Sequence, residues 1–442
     1  MPETNDGTPR RHRQRNIAPE EHTPSREEVY EKFGSPDPVR HAKRRAETKR
    51  RVIDVENLRE IKDSDYSTRA IDYNPLDAPF LMLVIILLLF GLVMVFSASY
   101  AQSIKDYGDA SHYFLNQLRW AVIGVGAMLL FAFPINYYRL KKYSNIFLIG
   151  TVALLVAVLL MGKEVNDAVR WIQFGGVRFQ PSELSKVAVI FFLARWCEDR
   201  RSRMKNITCP VTGFLIAVGP TAILLALEPH FSCLILIAAT AVVILYAGGM
   251  SNKWFWPFVV IGILLVVLFI YYGDKIPVGY ISRRWLAWKN PEDYARSTGY
   301  QTLQSLMALG TGGFFGVGLG NSRQKQLFLP ESHNDYVLSI VGEELGIFGV
   351  IVILLLFALL IWRGVTIARR ARDRFGFLLV IGIMAKIALQ VLINLAVVTN
   401  AVPVTGMALP FFSYGGTALM MQLAEIGVVL NISRQTKEPI KL

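Results

Sequence analysis

Long uncharged apolar segments recur along most of the chain, separated by short polar ones. Phe80–Ala98 and Leu345–Trp362 contain no charged residue, and each reaches the length of about 18 residues that predicts a helix crossing a bilayer. The pattern therefore predicts an all-α, polytopic membrane protein with about ten transmembrane helices. The predicted spans are residues 79–99, 118–136, 144–162, 183–197, 210–227, 231–248, 254–272, 336–362, 375–399 and 407–431.

The composition agrees with this fold class. Hydrophobic residues make up 53% of the 442 residues and charged ones 18%, with a mean hydropathy of +0.37. A soluble domain carries close to a quarter charged residues, so a soluble enzyme and a disordered protein are excluded for most of the chain. The cysteines Cys197, Cys209 and Cys233 do not form a disulfide framework, and we expect them to be reduced and structural.

The charges divide the chain into tails and a membrane domain. Residues 1–78 hold as many acidic as basic residues, so the net charge of +13 comes from the rest of the chain. We interpret 1–78 as a disordered cytoplasmic tail, 79–435 as the transmembrane domain and 436–442 as a cytoplasmic C-terminal tail. The basic cluster Arg40–Arg51 is either a solvated segment or a contact for anionic membrane lipids.

Short loops rich in arginine and lysine predict the orientation. They follow spans 2, 4 and 8 and alternate with poorer loops such as Ala101–Gln117. Because basic loops stay in the cytoplasm, both termini are predicted to be cytoplasmic in a multi-pass protein of the cell membrane. Basic groups confined to such loops also argue against nucleic acid as a partner. The outer segments are then 163–182 and a large extracytoplasmic loop, 273–335, between helices 7 and 8.

Charged side chains interrupt several apolar runs. Glu183 and Lys186 lie three residues apart on one helix face, where they either fix the helix as an ion pair or line a polar cavity. The other intramembrane charges are Glu343, Glu344, Lys386 and Glu425. Each costs about 2.5–3.5 kcal/mol unless paired or hydrated, and pairing between spans 8, 9 and 10 is one arrangement open to them. A transporter would use the same residue types.

Three titratable residues, Glu331, His333 and Asp335, lie where the long outer loop meets span 8. Asp335 suits two roles. It is either the N-cap of the following helix or a general base that takes a proton from an attacking hydroxyl. Joint metal ligation by the three residues is a weaker alternative, because their spacing matches no standard site.

Three further segments carry candidate chemistry. Gly310–Gly320 either packs closely on the bundle or brings backbone N–H groups to a phosphate, for which Arg284 and Lys325 are nearby cations. Trp171 is either an interfacial anchor or a platform for a sugar or lipid. Prolines and glycines in Pro403–Gly416 predict irregular backbone, buried in protein or lining a cavity.

At these segments the chain resembles the SEDS (shape, elongation, division and sporulation) family, which contains the FtsW and RodA polymerases of bacterial peptidoglycan. The resemblance covers about residues 79–435, and the FtsW type is favoured. The motifs that carry it are Trp171-Ile172 with Phe179–Lys186, Gly299–Ser305, Leu329–Asp335 with Gly342–Gly346, and Leu409–Gly416.

The resemblance implies an inverting glycosyltransferase that polymerises lipid II, the undecaprenyl-linked precursor, outside the cytoplasmic membrane. Its catalytic aspartate falls on Asp335, which would take the proton of the attacking GlcNAc 4-hydroxyl. Arg284 and Lys325, or a divalent cation (Mg²⁺ or Mn²⁺), would neutralise the departing undecaprenyl pyrophosphate. The residues expected to contact substrate are Trp171, Gln180, Glu183, Lys186, Arg284, Lys325, Glu331, His333 and Ser413. The implied partners are a class B penicillin-binding protein transpeptidase and other divisome proteins.

The sequence departs from the family pattern at a few positions. Asn334 and Tyr336 flank the aspartate where Thr and Phe are common, and His230 stands where the family usually has an aspartate after Glu-Pro. A neutral histidine supplies polarity but not charge, so the role of a second acid there is in doubt. The alternative functions are a lipid II flippase, a non-catalytic scaffold for a transpeptidase, or a RodA-type elongation or sporulation polymerase.

Overall fold

The structure, a computed structural model, describes residues 74–165, 168–174, 177–272, 279–297 and 299–436. Most of both predicted tails lies outside the described residues. The helices are α1 (Ala78–Tyr107), α2 (His112–Ala132), α3 (Tyr137–Met161), α4 (Pro181–Asp199), α5 (Thr208–Leu227), α6 (Phe231–Ala247), α7 (Asn252–Tyr272), α8 (Gly279–Lys289), α9 (Tyr300–Gly312), α10 (Val337–Arg370), α11 (Arg374–Val398) and α12 (Gly416–Arg434). The strands are β1 (Lys163–Val165), β2 (Ala168–Phe174) and β3 (Val177–Phe179), and a 3-10 helix covers Arg201–Arg203.

A helix overlaps each predicted span. Within the described part of the chain, seven helices are long and apolar enough to cross a membrane, namely α1, α2, α3, α5, α10, α11 and α12. The polytopic all-α class is therefore confirmed. Charges interrupt α4, while α6 and α7 are apolar over shorter stretches, so the number of ten spans and the side of the long loop stay predictions.

Several helix boundaries differ from the predicted ones because polar residues begin the helices. The side chain of Asn136 caps α3 by accepting from Tyr138 N, so this helix starts before its apolar run. Asp77, which was expected in the tail, is buried and caps α1, accepting from Phe80 N at 3.0 Å. Its carboxylate also pairs with Arg363 of α10 at 2.9 Å. Asp77 therefore belongs to the folded domain.

A small antiparallel sheet lies in the outer segment 163–182, for which no strands were predicted. β2 lies between β1 and β3, with Trp171 opposite Lys163 and Ile172 opposite Phe179. Hydrophobicity over windows long enough for a span does not detect strands of this length, although β-branched and aromatic residues are frequent in them.

The helix α10 is broken at Gly346, and the glycine-rich loop closes the break. Gly346 has φ +68° and ψ −172°, and its neighbours Ile347 N and Phe348 N donate to loop carbonyls at 3.0 and 3.1 Å. In the other direction, loop N–H groups donate to the carbonyls of Glu343 and Glu344 at 2.9 and 3.0 Å. A Cβ at Gly316 would lie 2.2 Å from Glu344 O. The glycines of Gly310–Gly320 thus serve close packing on α10.

The buried charges form pairs, but not all between spans 8, 9 and 10. Lys386 of α11 pairs with Glu425 of α12 at 2.5 Å, which joins spans 9 and 10. The carboxylates of span 8 have partners outside spans 9 and 10. Glu344 pairs with Lys325 from the outer loop at 2.7 Å, and Glu343 accepts from Arg323 N at 3.0 Å. The span-8 carboxylates therefore hold the outer loop. The three cysteines are free and buried.

Candidate active site

Three hydrogen bonds hold the loop that carries Asp335, and a fourth ties the same α11 side chain to the neighbouring segment. Asn394 of α11 donates to Asp335 O at 2.8 Å and to Met407 O at 2.7 Å. Ser413 Oγ donates to Asn334 O at 2.7 Å, and Tyr414 N donates to His333 O at 2.8 Å. The irregular segment Val402–Gly415 and α11 thus fix the backbone on both sides of Asp335, so its carboxyl group is held at a defined place before α10 begins.

Asp335 does not cap α10. The N-cap residue is Tyr336, which makes no side-chain cap hydrogen bond, so the capping alternative is wrong. The Asp335 side chain is partly exposed, and no described residue donates a hydrogen bond to its carboxylate. Gly406, at φ +68°, lies beside it, and a Cβ there would be 3.3 Å from Asp335 Oδ2. The carboxylate is therefore held in place but has no hydrogen-bond donor among the described residues.

The surroundings of Asp335 make it more basic than an ordinary aspartate. Burial and the negative charge of Glu331 raise its pKa to about 6, against the opposing pull of Arg284 and Arg170. A carboxyl group with this pKa is mostly ionised at neutral pH, yet it accepts a proton more readily than a solvated one. Glu331 itself has φ +54°, a backbone conformation that costs about 1 kcal/mol or more and is frequent near functional sites.

Two arginines approach Asp335 from separate elements. Arg284 of α8 donates from Nη1 to Val404 O at 2.8 Å, and Trp288 on the same helix donates to Asn400 O at 3.0 Å. Arg170 of β2 donates from Nε to Glu228 O at 3.3 Å and also bonds Pro229 O. These bonds hold α8 and the small sheet against the bundle, with both guanidinium groups within electrostatic reach of Asp335.

Glu183 and Lys186 form the ion pair that was one of their two predicted roles, and Lys186 lies within electrostatic reach of His230. Lys186 Nζ is buried and lies 2.6 Å from Glu183 Oε1. Lys186, Arg170 and Arg284 all act on His230, whose pKa burial and these charges hold well below its usual value. His230 is therefore neutral at pH 7. Burial raises the pKa of the neighbouring Glu228 to about 7, so this acid supplies only part of a negative charge.

Aromatic rings form a wall next to the Asp335 loop. The Tyr113 ring lies 4.7 Å from that of His333 and 5.0 Å from that of Tyr414. Burial lowers the pKa of His333 despite the nearby Glu331 and Asp106 carboxylates. A neutral, mostly aromatic surface beside a carboxylate is suited to the apolar face of a sugar ring.

Some predicted site residues lie elsewhere or have their groups occupied. Lys325 is buried against Glu344, with Ser97 Oγ 2.9 Å from Nζ, so its position gives no support to a pyrophosphate contact. Ser413 Oγ is engaged with backbone on both sides, accepting from Leu409 N at 2.7 Å as well. Trp171 is half-buried on β2 opposite Lys163, at an irregularity in the β1–β2 pairing. Gln180 is the residue before α4 and makes no side-chain cap bond.

The divalent cation, the alternative to Arg284 and Lys325, finds no ligand set in the described residues. No group of three His, Cys, Asp or Glu side chains there is placed to hold a metal ion. Glu331, His333 and Asp335 are close in sequence, but Glu331 is hydrogen-bonded to Asn334 Nδ2. Arg284 and Arg170 supply positive charge within electrostatic reach of Asp335.

Three contributors to the site were not predicted. Arg170 stood beside Trp171 in a motif but was not assigned a function. Asn394 is a polar side chain in a long apolar run, a feature that marks a buried hydrogen-bonding role. Glu228 precedes a proline at a helix end, and its burial depends on tertiary packing that no sequence pattern shows.

A family comparison matches this whole region of the chain. The family model described as "Cell cycle protein", FTSW_RODA_SPOVE, matches residues 78–438. The chain belongs to the FtsW/RodA/SpoVE family. The resemblance to SEDS proteins drawn from the motifs is thereby confirmed.

Relatives in this family are similar over nearly their full length. A "Probable peptidoglycan glycosyltransferase FtsW" of Geobacter metallireducens is 38% identical over 82% of this chain and 95% of its own. "Stage V sporulation protein E" of Bacillus subtilis is also 38% identical, over 81% of this chain and 98% of its own. Identity therefore does not separate the division and sporulation members.

Two solved structures share the fold. One comes from "Structural coordination of polymerization and crosslinking by a peptidoglycan synthase complex", with a TM-score of 0.67, 25% identity, and coverage of 81% of this chain and 98% of that one. The other is the rod shape determining protein RodA of Thermus thermophilus, with a TM-score of 0.59, 26% identity, and coverage of 82% and 98%.

Proposed function

We propose that this protein polymerises lipid II into glycan strands and that Asp335, directly before α10, is the general base. The protein is a peptidoglycan glycosyltransferase of cell-wall synthesis, the activity named for its FtsW relatives at high coverage. The assignment of Asp335 rests on the state of its carboxylate. Hydrogen bonds to the backbone hold the loop in place, while the carboxylate accepts no hydrogen bond from the described residues and has a pKa raised to about 6.

The chemistry is an inverting displacement. The GlcNAc 4-hydroxyl of one substrate attacks C1 of the MurNAc of another, the new glycosidic bond forms as the C1–O bond to undecaprenyl pyrophosphate breaks, and Asp335 takes the hydroxyl proton. Because the pKa of Asp335 is near the working pH, the proton is afterwards released to water. A positioned base of this kind contributes roughly 10²–10⁴ in rate.

Positive charge assists the leaving group. Arg284 and Arg170 lie within electrostatic reach of Asp335, and fixed cations stabilise charge that develops on a departing diphosphate. The wall of Tyr113, His333 and Tyr414 would hold a sugar ring next to the base. The prenyl chains of the substrates would remain in the bilayer, between the apolar helices.

The membrane orientation and the partner belong to the same proposal. Basic loops cluster at the end of the bundle opposite Asp335, which supports cytoplasmic termini and an extracytoplasmic Asp335. A structural neighbour comes from work on coordinated polymerisation and crosslinking, which supports a class B penicillin-binding protein as partner. We place the protein in septal synthesis, a role to be tested by rescue of division in a strain depleted of its FtsW.

The test uses purified full-length protein with and without its transpeptidase partner. Asp335→Asn should lower glycan synthesis from lipid II by about 10²-fold or more, while Asp335→Glu should retain part of the activity. Asp293→Asn, which changes an exposed acid of the same loop, is the matched control and should behave as wild type. Polymerisation by Asp335→Asn at the wild-type rate would overturn the assignment of the base.

Transport in liposomes separates the remaining functions. Lipid II flipping without any glycan product would support a flippase in place of a polymerase. A scaffold would be supported if Asp335→Asn had no effect on glycan synthesis and other substitutions in the outer loop mattered only when they weakened binding of the transpeptidase.

A further inference from the structure

A polar cleft lies at the end of the bundle opposite Asp335. It has a volume of about 670 Å³ and lies where α4 ends and α11 begins, beside the turn that joins α6 to α7. The residues that line it are Glu198, Asp199, Arg201, Ser202, Lys205, Gly249 and Arg374. None of these residues contributes to the polymerase site described above.

The two acidic residues of the cleft are already paired. Lys141 Nζ lies 2.8 Å from Glu198 Oε2 and 3.0 Å from Asp199 Oδ1, and Arg195 Nε lies 3.3 Å from Asp199 Oδ2. Lys141 and Arg195 are not among the lining residues. Lys141 and Arg195, outside the cleft, therefore offset the charges of the two carboxylates. The residues lining the cleft are left with an excess of positive charge.

Its three cations differ in how they are held. Arg374 donates to Gly248 O, and the absence of a side chain at Gly249 leaves room for its guanidinium, because a Cβ there would lie 2.9 Å from Nη2. Arg374 is attracted by Glu198 but repelled by Arg201. Arg201 and Lys205 are exposed, and among the described residues neither has a hydrogen-bonding or ion-pair partner. Like charges gathered without a counter-ion are stabilised by a bound anion.

The cleft lies at the level of a membrane interface. Arg200 stacks on Trp196 with its guanidinium 3.5 Å from the ring centroid, and Lys253 lies 5.0 Å from the ring centroid of Trp254. Tryptophan side chains of this kind concentrate at the headgroup level of bilayers, and basic pockets between helices there bind anionic headgroups. The charges of the cleft are thus where a phosphate group of a lipid would be.

We propose that Arg201, Lys205 and Arg374 form a binding site for one phosphate group, with Ser202 as a neutral donor. The ligand class is an anionic phosphate, supplied either by a lipid headgroup or by a soluble phosphate.

The test measures binding to purified full-length protein in neutral detergent by native mass spectrometry. Short-chain phosphatidylglycerol, short-chain phosphatidylcholine and inorganic phosphate are titrated separately. We expect one saturable anionic adduct per chain. Binding of phosphatidylglycerol that inorganic phosphate does not displace identifies a lipid as the source. Displacement by inorganic phosphate, or binding of inorganic phosphate alone, identifies a soluble anion.

Charge-matched variants locate the site. Arg201→Gln with Lys205→Gln should weaken the adduct about 30-fold, since each basic residue near a lipid surface contributes a factor of about five. Arg203→Gln with Lys142→Gln removes the same charge from exposed residues outside the cleft and should weaken it less than threefold. Ser202→Glu removes no described contact, and it should abolish binding of the anion because it places a negative charge in the cleft. Thermal unfolding without lipid checks that each variant is folded.

Two results would overturn the proposal. One is an equal loss of binding in both double variants, which means that the attraction is diffuse. The other is the absence of any saturable anionic adduct in the wild-type protein.

Discussion

Removing the positive charge of Lys325 tests whether this lysine holds the structure or binds substrate. Its Nζ lies 2.7 Å from Glu344 Oε1, and the two side chains are 4% and 0% exposed. Lys325→Met leaves a buried carboxylate without its cation, which costs about 3–5 kcal/mol. Ser97 Oγ, 2.7 Å from the same oxygen, remains as a donor, so we expect the lower end of that range.

The double variant Lys325→Met with Glu344→Gln removes both charges and keeps an acceptor for Ser97. Replacing a whole buried ion pair is often close to neutral, so its stability should lie within about 1 kcal/mol of wild type. Glu344→Gln alone leaves Lys325 without its anion and should cost a similar amount, about 3 kcal/mol. The double-mutant cycle should therefore give a coupling free energy of about 5 kcal/mol. The free energy of unfolding is measured by SDS titration in mixed micelles, and lipid II polymerisation is measured per folded molecule.

If Lys325 is structural, the double variant regains both stability and polymerisation. A double variant as stable as wild type that makes no glycan would refute this reasoning and return Lys325 to the substrate. Single variants that each cost less than about 0.5 kcal/mol would also refute it, because that is the range of ordinary surface changes. Lys105→Met, at an exposed lysine of α1, is the control for loss of charge alone.

Three shorter predictions concern Asp335 and the break in α10. With a pKa of about 6, Asp335 should make the rate of polymerisation fall about tenfold per pH unit below pH 6. Glu331→Gln removes a negative charge that raises this pKa, so it should shift the acidic limb of the pH–rate profile to lower pH. An unmoved limb would contradict this. Because the pKa is raised from 3.8 on folding, this carboxyl stabilises the fold less as pH rises from about 4 to 6. Asp335→Asn should thus unfold at a higher temperature than wild type at pH 7.5 but not at pH 4. Gly346→Ala should lower the free energy of unfolding, measured by SDS titration, by about 2 kcal/mol or more, since φ is +68° and a Cβ would meet Phe314 O at 2.3 Å. Gly126→Ala, with open space around it, should not.

The helical part of the fold could be predicted because the bilayer requires long uncharged runs. Phe80–Ala98 lies within α1, and the interruption at Pro403–Gly416 is irregular backbone, as its prolines and glycines indicated. The sheet at Lys163–Phe179 was missed, since three short strands produce no periodicity over a long window. Helix starts were also misplaced where a polar residue such as Asn136 provides the cap.

The candidate site could be predicted only in part. Asp335 was identified because its motif places a carboxylate at a helix start. The partner of Lys325 could not be deduced, because its pairing with Glu344 depends on how the outer loop packs on α10. Arg170 and Asn394 gain their roles from contacts with residues more than fifty positions away, which local sequence does not encode.

The break at Gly346 divides α10 into a part that crosses the membrane and a part that packs on the glycine-rich loop. A continuous helix of 34 residues would measure about 51 Å, well beyond the roughly 30 Å hydrocarbon thickness of a bilayer. Ile347–Arg370 alone is long enough to cross, so it can tilt to match a thinner or thicker membrane. The preceding turns, tied to the glycine-rich loop, need not follow that tilt. Changes in lipid composition would then alter the slope of this helix while the carboxyl group of Asp335 keeps its height above the hydrocarbon.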